Sequence, residues 1–414
     1  MLPKGWQTAS VTSVCTQVSV GIVVNPSHYY VADGQGVRAF RSGNVRENAV
    51  QDDKWVYLSE DGHQKNSKSK LKAGDVLVVR TGFAGTACVV PKELDGCNCI
   101  DILFARPDTN KVVPEYLAQL TNSQLGRKQV LSGQSGLAQK HLNVSTYSKM
   151  MFALPPVREQ KRIVEVLSTW DRAILSAERL LSNSKRSTRD LMVSLLCGHR
   201  RFPGYSDKWR YVDFDSIFER VTRKNTTHNT TVLTISGEHG LISQRDYFSK
   251  SVASANLSGY TLLHRHDFAY NKSYSAGYPM GAIKPLLAYE AGVVSSLYLC
   301  FRLREDVDAD FDFFRHYFEA GLLNQEIEGI AQEGARNHGL LNVSVTDFFK
   351  LQLHIPSAPE QRRIAEVINA ARAEEALLEA QIRALRQEKA ALMSQLLTGK
   401  RRVKLSEVES EAQV

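Results

Sequence analysis

Glu159-Gln160-Lys161-Arg162-Ile163-Val164-Glu165-Val166-Leu167 recurs 201 positions later as Glu360-Gln361-Arg362-Arg363-Ile364-Ala365-Glu366-Val367-Ile368. The same shift, without a gap, aligns Leu191-Met192 with Leu392-Met393. It also aligns Leu195-Leu196-Cys197-Gly198-His199-Arg200-Arg201 with Leu396-Leu397-Thr398-Gly399-Lys400-Arg401-Arg402. In a chain of 414 residues this offset is close to half the length, which marks a duplication in two copies. A solenoid needs shorter and more numerous repeats.

The repeated segments read as long helices. Steps of four and three from Ile163 meet Leu167, Trp170, Ile174, Ala177, Leu181, Ser184, Thr188, Leu191 and Leu195. The same steps from Ile364 meet Ile368, Ala371, Glu375, Leu378, Ile382, Leu385, Lys389, Leu392 and Leu396. This is a heptad seam with polar interruptions. Pro155-Pro156 and Pro356 stand where a helix tolerates proline, and Gly198 and Gly399 stand where helices stop. Some forty residues at ~1.5 Å each give a rod of roughly 60 Å. A single such helix would leave its seam open, so the two copies are expected to pair as an antiparallel coiled coil. The pairing residues are Ile163, Leu167, Trp170, Ile174, Leu181, Leu191 and Leu195 against Ile364, Ile368, Leu378, Ile382, Leu385, Leu392 and Leu396. Glu375 and Lys389 should then face the other helix near Thr188 and Ile174 and help to fix the register.

The stretches between the helices are of another kind. Val18–Val24, Asp75–Val79, Thr231–Ile235 and Val293–Phe301 are β-branched and aromatic runs bounded by turn formers, as strands are. Short helices are expected at Glu115–Thr121 and Phe311–Gly321. Trp6 and Trp209 open the two stretches, and Leu142-Asn143-Val144-Ser145 echoes Leu341-Asn342-Val343-Ser344. Lys72–Leu77 also echoes Arg265–Ala269. The fold class is therefore α+β, with two pseudo-repeated domains separated by two long helices. The divisions are 1–155, a first mixed domain; 156–201, a first helix; 202–355, a second mixed domain; 356–402, a second helix; and 403–414, an acidic tail read as disordered.

Hydrophobic residues make up 43% and charged residues 23%, which excludes wholesale disorder. No run of ~18 apolar residues is present, so no membrane span is expected. Six scattered cysteines and the absence of a leader pattern in MLPKGWQTAS suggest a reduced, cytoplasmic protein. The net charge of +8 suits a polyanion partner without requiring one. It is spread as +5, +5, −3, +3 and −2 over the first domain, first helix, second domain, second helix and tail.

The arrangement resembles the specificity (S) subunit of type I restriction-modification systems. The resemblance rests on the Pro-Pro-x-x-Glu-Gln-x-Arg-Ile opener at Pro155–Ile163 and its variant at Ile355–Ile364. It rests also on Leu-Leu-x-Gly at each helix end, Leu-Asn-Val-Ser upstream, and the initial tryptophans. It covers essentially the whole chain. The second copy departs in Ser357-Ala358-Pro359, which leaves only its first helical turn in doubt. The resemblance implies two target recognition domains, each reading half of a bipartite asymmetric site in double-stranded DNA. It implies spacer helices that dock two methyltransferase (M) subunits, and optionally restriction (R) subunits. It implies a non-catalytic chain without cofactors of its own, S-adenosylmethionine belonging to the methyltransferase partner and ATP and Mg to the restriction partner.

DNA-contacting residues should come from polar loops rich in Arg, Lys, Asn, Gln, Ser, Thr and Tyr. In the first domain these are Arg80 and Thr81, and Gln134, Ser135, Gln139 and Lys140. In the second they are Asn271, Lys272, Tyr274, Tyr278 and Lys284, and Arg336, Asn337 and His338. Each cluster can equally be a solvated surface turn. Lys65, Lys68, Lys70 and Lys72 can track phosphates or form an ordinary solvated face. The acidic run from Glu305 to Asp312 must turn away from any duplex; it lacks the EF-hand pattern. Cys97-Asn98-Cys99 and His264-Arg265-His266 lack the second half of a zinc site. Gly34-Gln35-Gly36 lacks the context of a dinucleotide loop. No duplicated catalytic set is visible. Two other readings remain open: a protein–protein scaffold with two interaction domains on a coiled coil, and a stand-alone enzyme.

Overall fold

The computed structural model describes residues 2–132, 141–237, 240–247, 256–275, 277–333 and 341–404. It divides into two compact units. One comprises Met1–Arg179 and Ala380–Val414, the other Leu180–Glu379. Each contains one mixed stretch with half of each long helix. The helices run Val157–Leu196 and Ala358–Leu396. Gly198 and Gly399 end them in the left-handed region, at φ 72° and 73°, where a residue without Cβ is unstrained.

In the first unit the central sheet is antiparallel, in the order Cys15–Val20, Ile102–Pro107, Val76–Val79, Ala87–Val89. Val76–Val79 and the first half of Ile102–Pro107 are buried on both faces, which explains their unbroken apolar runs, whereas the edge strand Cys15–Val20 is half-buried and mixed in composition. Val76 and Val78 point into one core with Trp6, Tyr116, Ile163, Leu167, Met393 and Leu396. Leu77 and Val79 point into another with Phe40, Cys88 and Phe104. The alternation follows from the two-residue period of a strand. A second sheet, ordered Asn98–Cys99, Val37–Phe40, Val56–Leu58, Tyr30–Val31, lies outside this framework.

In the second unit the order Phe218–Arg220, Leu299–Leu303, Phe268–Asn271, Ala282–Pro285 repeats the central sheet. Phe268, Tyr270 and Phe301 enter a phenylalanine-rich core shared with Leu195, Leu196, Ile364 and Ile368. Ala269 and Cys300 enter the opposite core.

Scaffold elements recur in order. Gln7–Ser10 pairs antiparallel with Met151–Leu154, as Arg210–Asp213 does with Gln352–Ile355. Helix Pro114–Asn122 corresponds to Phe311–Glu319. Asp75 and Asp267, both buried, precede equivalent strands. Asp75 accepts the Lys72 N–H at 2.8 Å and Asp267 the His264 N–H at 2.7 Å. Each is also paired with an arginine, Arg106 or Arg223. Between the scaffold elements the copies diverge. The second unit has no four-stranded outer sheet among its described residues; it has the hairpin Leu233–Ser236 with Gly240–Ser243 and a separate antiparallel pair, Thr261–His264 with Ala291–Val294.

Three expectations need correction. The run Val293–Phe301 is two strands, Ala291–Val294 and Leu299–Leu303, because a turn in which the Tyr298 N–H donates to Ser295 O interrupts it. The strand expected at Val18–Val24 is Cys15–Val20. Gly21 then packs so tightly on Cys99 that a Cβ would fall 2.2 Å from its carbonyl oxygen. The Leu-Asn-Val-Ser echo is shifted: Asn143 stands at the N-cap position of one helix without a side-chain bond, whereas Ser344 caps the other by accepting from the Asp347 N–H, so the second begins two residues later relative to the motif. The tail lies outside the described residues from 405 onward, whereas Val403 packs on the first core.

Candidate nucleic-acid interface

In the first domain the Arg80–Thr81 cluster meets His141 and Leu142, at the described end of the second expected cluster. Arg80–Gly85 forms a tight turn between Val76–Val79 and Ala87–Val89, closed by the Gly85 N–H donating to Val79 O at 2.9 Å. Arg80 O accepts the Leu142 N–H at 3.0 Å. The Arg80 guanidinium donates to Leu142 O and is paired at 2.5 Å with Asp101. Thr81 Oγ1 and His141 Nδ1 share a hydrogen bond of 2.8 Å. The end of the Gln/Ser/Lys loop is therefore fastened to the hairpin. Gln134, Ser135, Gln139 and Lys140 themselves lie outside the described residues. Arg80 acts in the structure as a tether, its charge already matched.

The second domain repeats this junction, since the Leu341 N–H donates to Lys272 O at 2.9 Å. The hairpin from Phe268–Asn271 to Ala282–Pro285 carries Asn271, Lys272, Tyr274 and Tyr278. Asn271 Oδ1 accepts the Ser273 N–H at 3.2 Å, shaping the turn. Lys284 departs from expectation: it is buried, ion-paired with Glu319, and donates to the Tyr278 hydroxyl at 2.7 Å. That hydroxyl also lies 2.9 Å from Gly237 O. Burial pushes the Tyr278 phenol above its usual range, so it stays neutral. Lys284 therefore holds Tyr278, and Tyr278 holds the neighbouring hairpin end. Arg336, Asn337 and His338 lie outside the described residues.

The remaining motifs resolve into structure. Cys97 and Cys99 are core residues, and Asn98 between them donates to Ser69 Oγ at 2.9 Å. Burial pushes the Cys88 and Cys300 thiols up to about 12, which removes thiolate reactivity near neutrality. His264 ends the strand Thr261–His264 and Arg265-His266 form the turn after it; Gly34–Gly36 is another turn, with both glycines at positive φ. Among the described residues no three His, Cys, Asp or Glu side chains converge to hold a metal. No helix there is long and apolar enough to cross a membrane. Lys65 pairs with Asp61 at 2.9 Å. In the acidic run, Asp308 meets Arg362 at 2.7 Å, and Asp310 caps the helix Phe311–Glu319 by accepting from the Phe313 N–H.

The role of the repeated motif was not evident from sequence. Buried Glu159 receives two hydrogen bonds from Arg402, at 3.1 and 2.8 Å, and one from Trp6 Nε1 at 3.0 Å. Buried Glu360 receives two from Arg201, at 2.9 and 2.8 Å. The glutamate opening each long helix thus grips the arginine ending the other. Gln160 and Gln361 fasten the same turns to their own domains. Gln160 Oε1 accepts the Val113 N–H, and Gln361 Oε1 accepts the Asp310 N–H. Each tryptophan lies against a terminating glycine, Trp6 against Gly399 and Trp209 against Gly198. The arginine and glutamate spacing was visible in the repeat, but only the fold shows that they meet crosswise.

Equivalent helices also meet the long helices with different chemistry. In the first unit Gln119 donates to Asp171 at 2.7 Å. In the second, His316 Nε2 lies 2.7 Å from Asn369 Oδ1, with Arg315, Asp312 and Arg372 around it. Burial lowers the His316 pKa from 6.5; Arg315 and Arg372 push the same way, against Asn369 and Asp312. Below about 6.5 the unfolded chain binds a proton that the folded chain refuses. Stability therefore falls as pH falls through 6.5, and levels off once the folded-state value is passed. His316→Gln, matching Gln119, should flatten the melting-temperature profile between pH 5 and 7; parallel profiles for variant and parent would contradict this.

Residues 3–182 match the family model described as "Type I restriction modification DNA specificity domain". The putative type I restriction enzyme MjaX specificity subunit of Methanocaldococcus jannaschii is 21% identical over 203 residues, 47% of this chain and 46% of that protein. The type I restriction enzyme EcoKI specificity subunit of Escherichia coli is 26% identical over 218 residues, 50% of this chain and 44% of that one. The chain thus spans less than half the length of these curated relatives. Two solved structures share the fold across nearly all of both chains. One, described as concerning complex assembly and conformational transition of the type I R-M system, has a TM-score of 0.57 at 16% identity, covering 96% of this chain and 99% of its own. The S subunit of a type I restriction-modification system from M. genitalium gives 0.54 at 10% identity, with 97% of each chain covered.

Proposed function

We propose, from the match of residues 3–182 to the type I restriction modification DNA specificity domain, that the whole chain is the DNA-recognition subunit of a type I restriction-modification complex. Each mixed domain reads one half of a bipartite, asymmetric site in double-stranded DNA. The observation that carries this reading is the duplication itself. One scaffold occurs twice, with the same four-stranded order and the same hairpin-to-late-loop junction, and bears a different outer lobe each time. A constant framework with variable loops is how one fold reads unrelated sequences.

The long helices are proposed to pair as an antiparallel coiled coil that sets the spacing of the half-sites and docks two methyltransferase subunits. Support comes from each unit separately. In the first, Glu159, Asp171 and Glu178 meet Arg402, Lys389 and Arg386. In the second, Lys185, Met192 and Arg201 meet Glu379, Arg372 and Glu360. Partner numbers fall in one helix as they rise in the other. Seam positions are buried or half-buried throughout, including Thr188, Glu375, Ile382 and Lys389. The chain performs no chemistry in this proposal. Its methyltransferase partners would hold S-adenosylmethionine, and any restriction partners ATP and Mg.

DNA contact falls to the hairpin and late loop of each domain. The candidates are Thr81, Gln134, Ser135, Gln139 and Lys140 in one, and Asn271, Lys272, Tyr274, Arg336, Asn337 and His338 in the other. Arg80, Tyr278 and Lys284 position these loops. Arg80→Ala should weaken discrimination at the first half-site alone, since its bonds to Leu142 and Asp101 fix that junction. Selection from a random duplex pool by the variant in its methyltransferase complex checks this; loss at the second half-site instead would contradict it. Binding itself should weaken steeply with salt, as phosphate neutralisation requires.

A further inference from the structure

The hairpin in each domain ends in an aromatic side chain that the protein itself does not cover. Phe83 is 86% exposed and Tyr274 is 65% exposed. Both lie on the connection between equivalent strands, Val76–Val79 to Ala87–Val89 and Phe268–Asn271 to Ala282–Pro285. A single exposed phenylalanine needs no explanation. An exposed aromatic on the same connection in both copies of a duplicated fold does, Phe83 three residues past Arg80 and Tyr274 two past Lys272, the two residues whose carbonyls accept from the late loops. The backbone beneath Phe83 is fixed: its carbonyl accepts the Thr86 N–H at 3.1 Å and the Thr86 hydroxyl at 2.8 Å. Tyr274 precedes a closed turn in which the Tyr278 N–H donates to Ser275 O at 2.9 Å. Both aromatics stand beside the junction with the late loop, Phe83 two residues from the Thr81–His141 bond and Tyr274 two residues from Lys272.

We propose that Phe83 and Tyr274 are stacking residues: each contacts the face of a base in its own half-site, entering a base step or holding a base displaced from the stack. This rests on the DNA-recognition reading and deepens it. Every base offers a π-face, so an aromatic can serve two domains that read different sequences. Apolar side chains inserted at a base step partly unstack it and favour steps that deform easily. Phe has no hydrogen-bonding group, and Tyr one at its far end, so conserved function at this position is the ring itself. Backbone hydrogen bonds beside each ring limit its positions before binding, which lowers the entropy lost on contact.

The test uses the full chain in its methyltransferase complex. Duplexes are first selected from a random pool by the parent complex, then substituted with 2-aminopurine one position at a time. Phe83→Ala should reduce affinity for the selected duplex at least about ten-fold. It should abolish a fluorescence increase at one position in the first half-site only, with Phe83→Trp restoring binding. Tyr274→Ala should do the same in the second half-site, with Tyr274→Phe restoring binding. The melting temperature of the free protein should not change, since both rings are exposed. Parent-like affinity and fluorescence in both alanine variants would overturn the stacking proposal while leaving DNA recognition intact. So would loss of methyltransferase association in those variants, which would assign the rings to a protein contact. Failure of the parent complex to select any duplex would overturn both proposals.

Discussion

Asp171→Ala lowers the melting temperature by about 6–12 °C. Asp171 faces the buried ammonium of Lys389 at 2.5 Å and accepts a further bond from Gln119. Lys389 is only 6% exposed, so without the carboxylate its charge stays out of water and unpaired. Breaking such a pair costs ~3 kcal/mol or more. Each kcal/mol shifts melting by about 2–4 °C in a unit of this size. The double variant Asp171→Leu with Lys389→Met removes both charges and should melt within a few degrees of the parent, because an apolar pair of similar volume replaces a buried ion pair at little cost. A single variant that melts like the parent, or a double variant worse than the single, would show that the two side chains do not depend on each other.

On the DNA-recognition proposal, replacing residues 1–155 by the corresponding stretch of a type I specificity subunit should change one half-site completely and leave the other untouched. Each unit encloses its own core. The first is built around Ile163, Leu167, Met393 and Leu396, the second around Leu195, Leu196, Ile364 and Ile368. The glutamate–arginine grips lie outside the exchanged stretch and remain intact. The helices stay as they were, so the spacing between half-sites should also persist. Sequencing of methylated DNA from cells carrying the hybrid checks this. A change in both halves would mean that the domains do not read independently.

The duplication made much of the fold legible. An ungapped offset of 201 fixed two helices, and their seams coincide with the buried and half-buried positions. Glu375 and Lys389 were visible as exceptions in those seams, and Lys389 does meet a residue one turn from Ile174. What stayed hidden depends on contacts distant in sequence. Nothing near Glu159 announces Arg402, 243 residues away. The run Val293–Phe301 reads as one strand because its turn uses serines, which strands also tolerate. Lys284 looked like a DNA ligand because a lysine beside tyrosines usually faces water; Glu319 draws it inward instead. In a linear reading nothing separates Phe83 from a core phenylalanine; its 86% exposure is visible only in the fold.

Methylation mapping of cellular DNA tests the central claim most directly, in cells carrying this chain with its methyltransferase partner and in cells lacking this chain alone. The account predicts a bipartite motif with two unrelated halves that is present in the first and absent from the second. An identical methylation pattern in both, with the methyltransferase shown to be active, would contradict it.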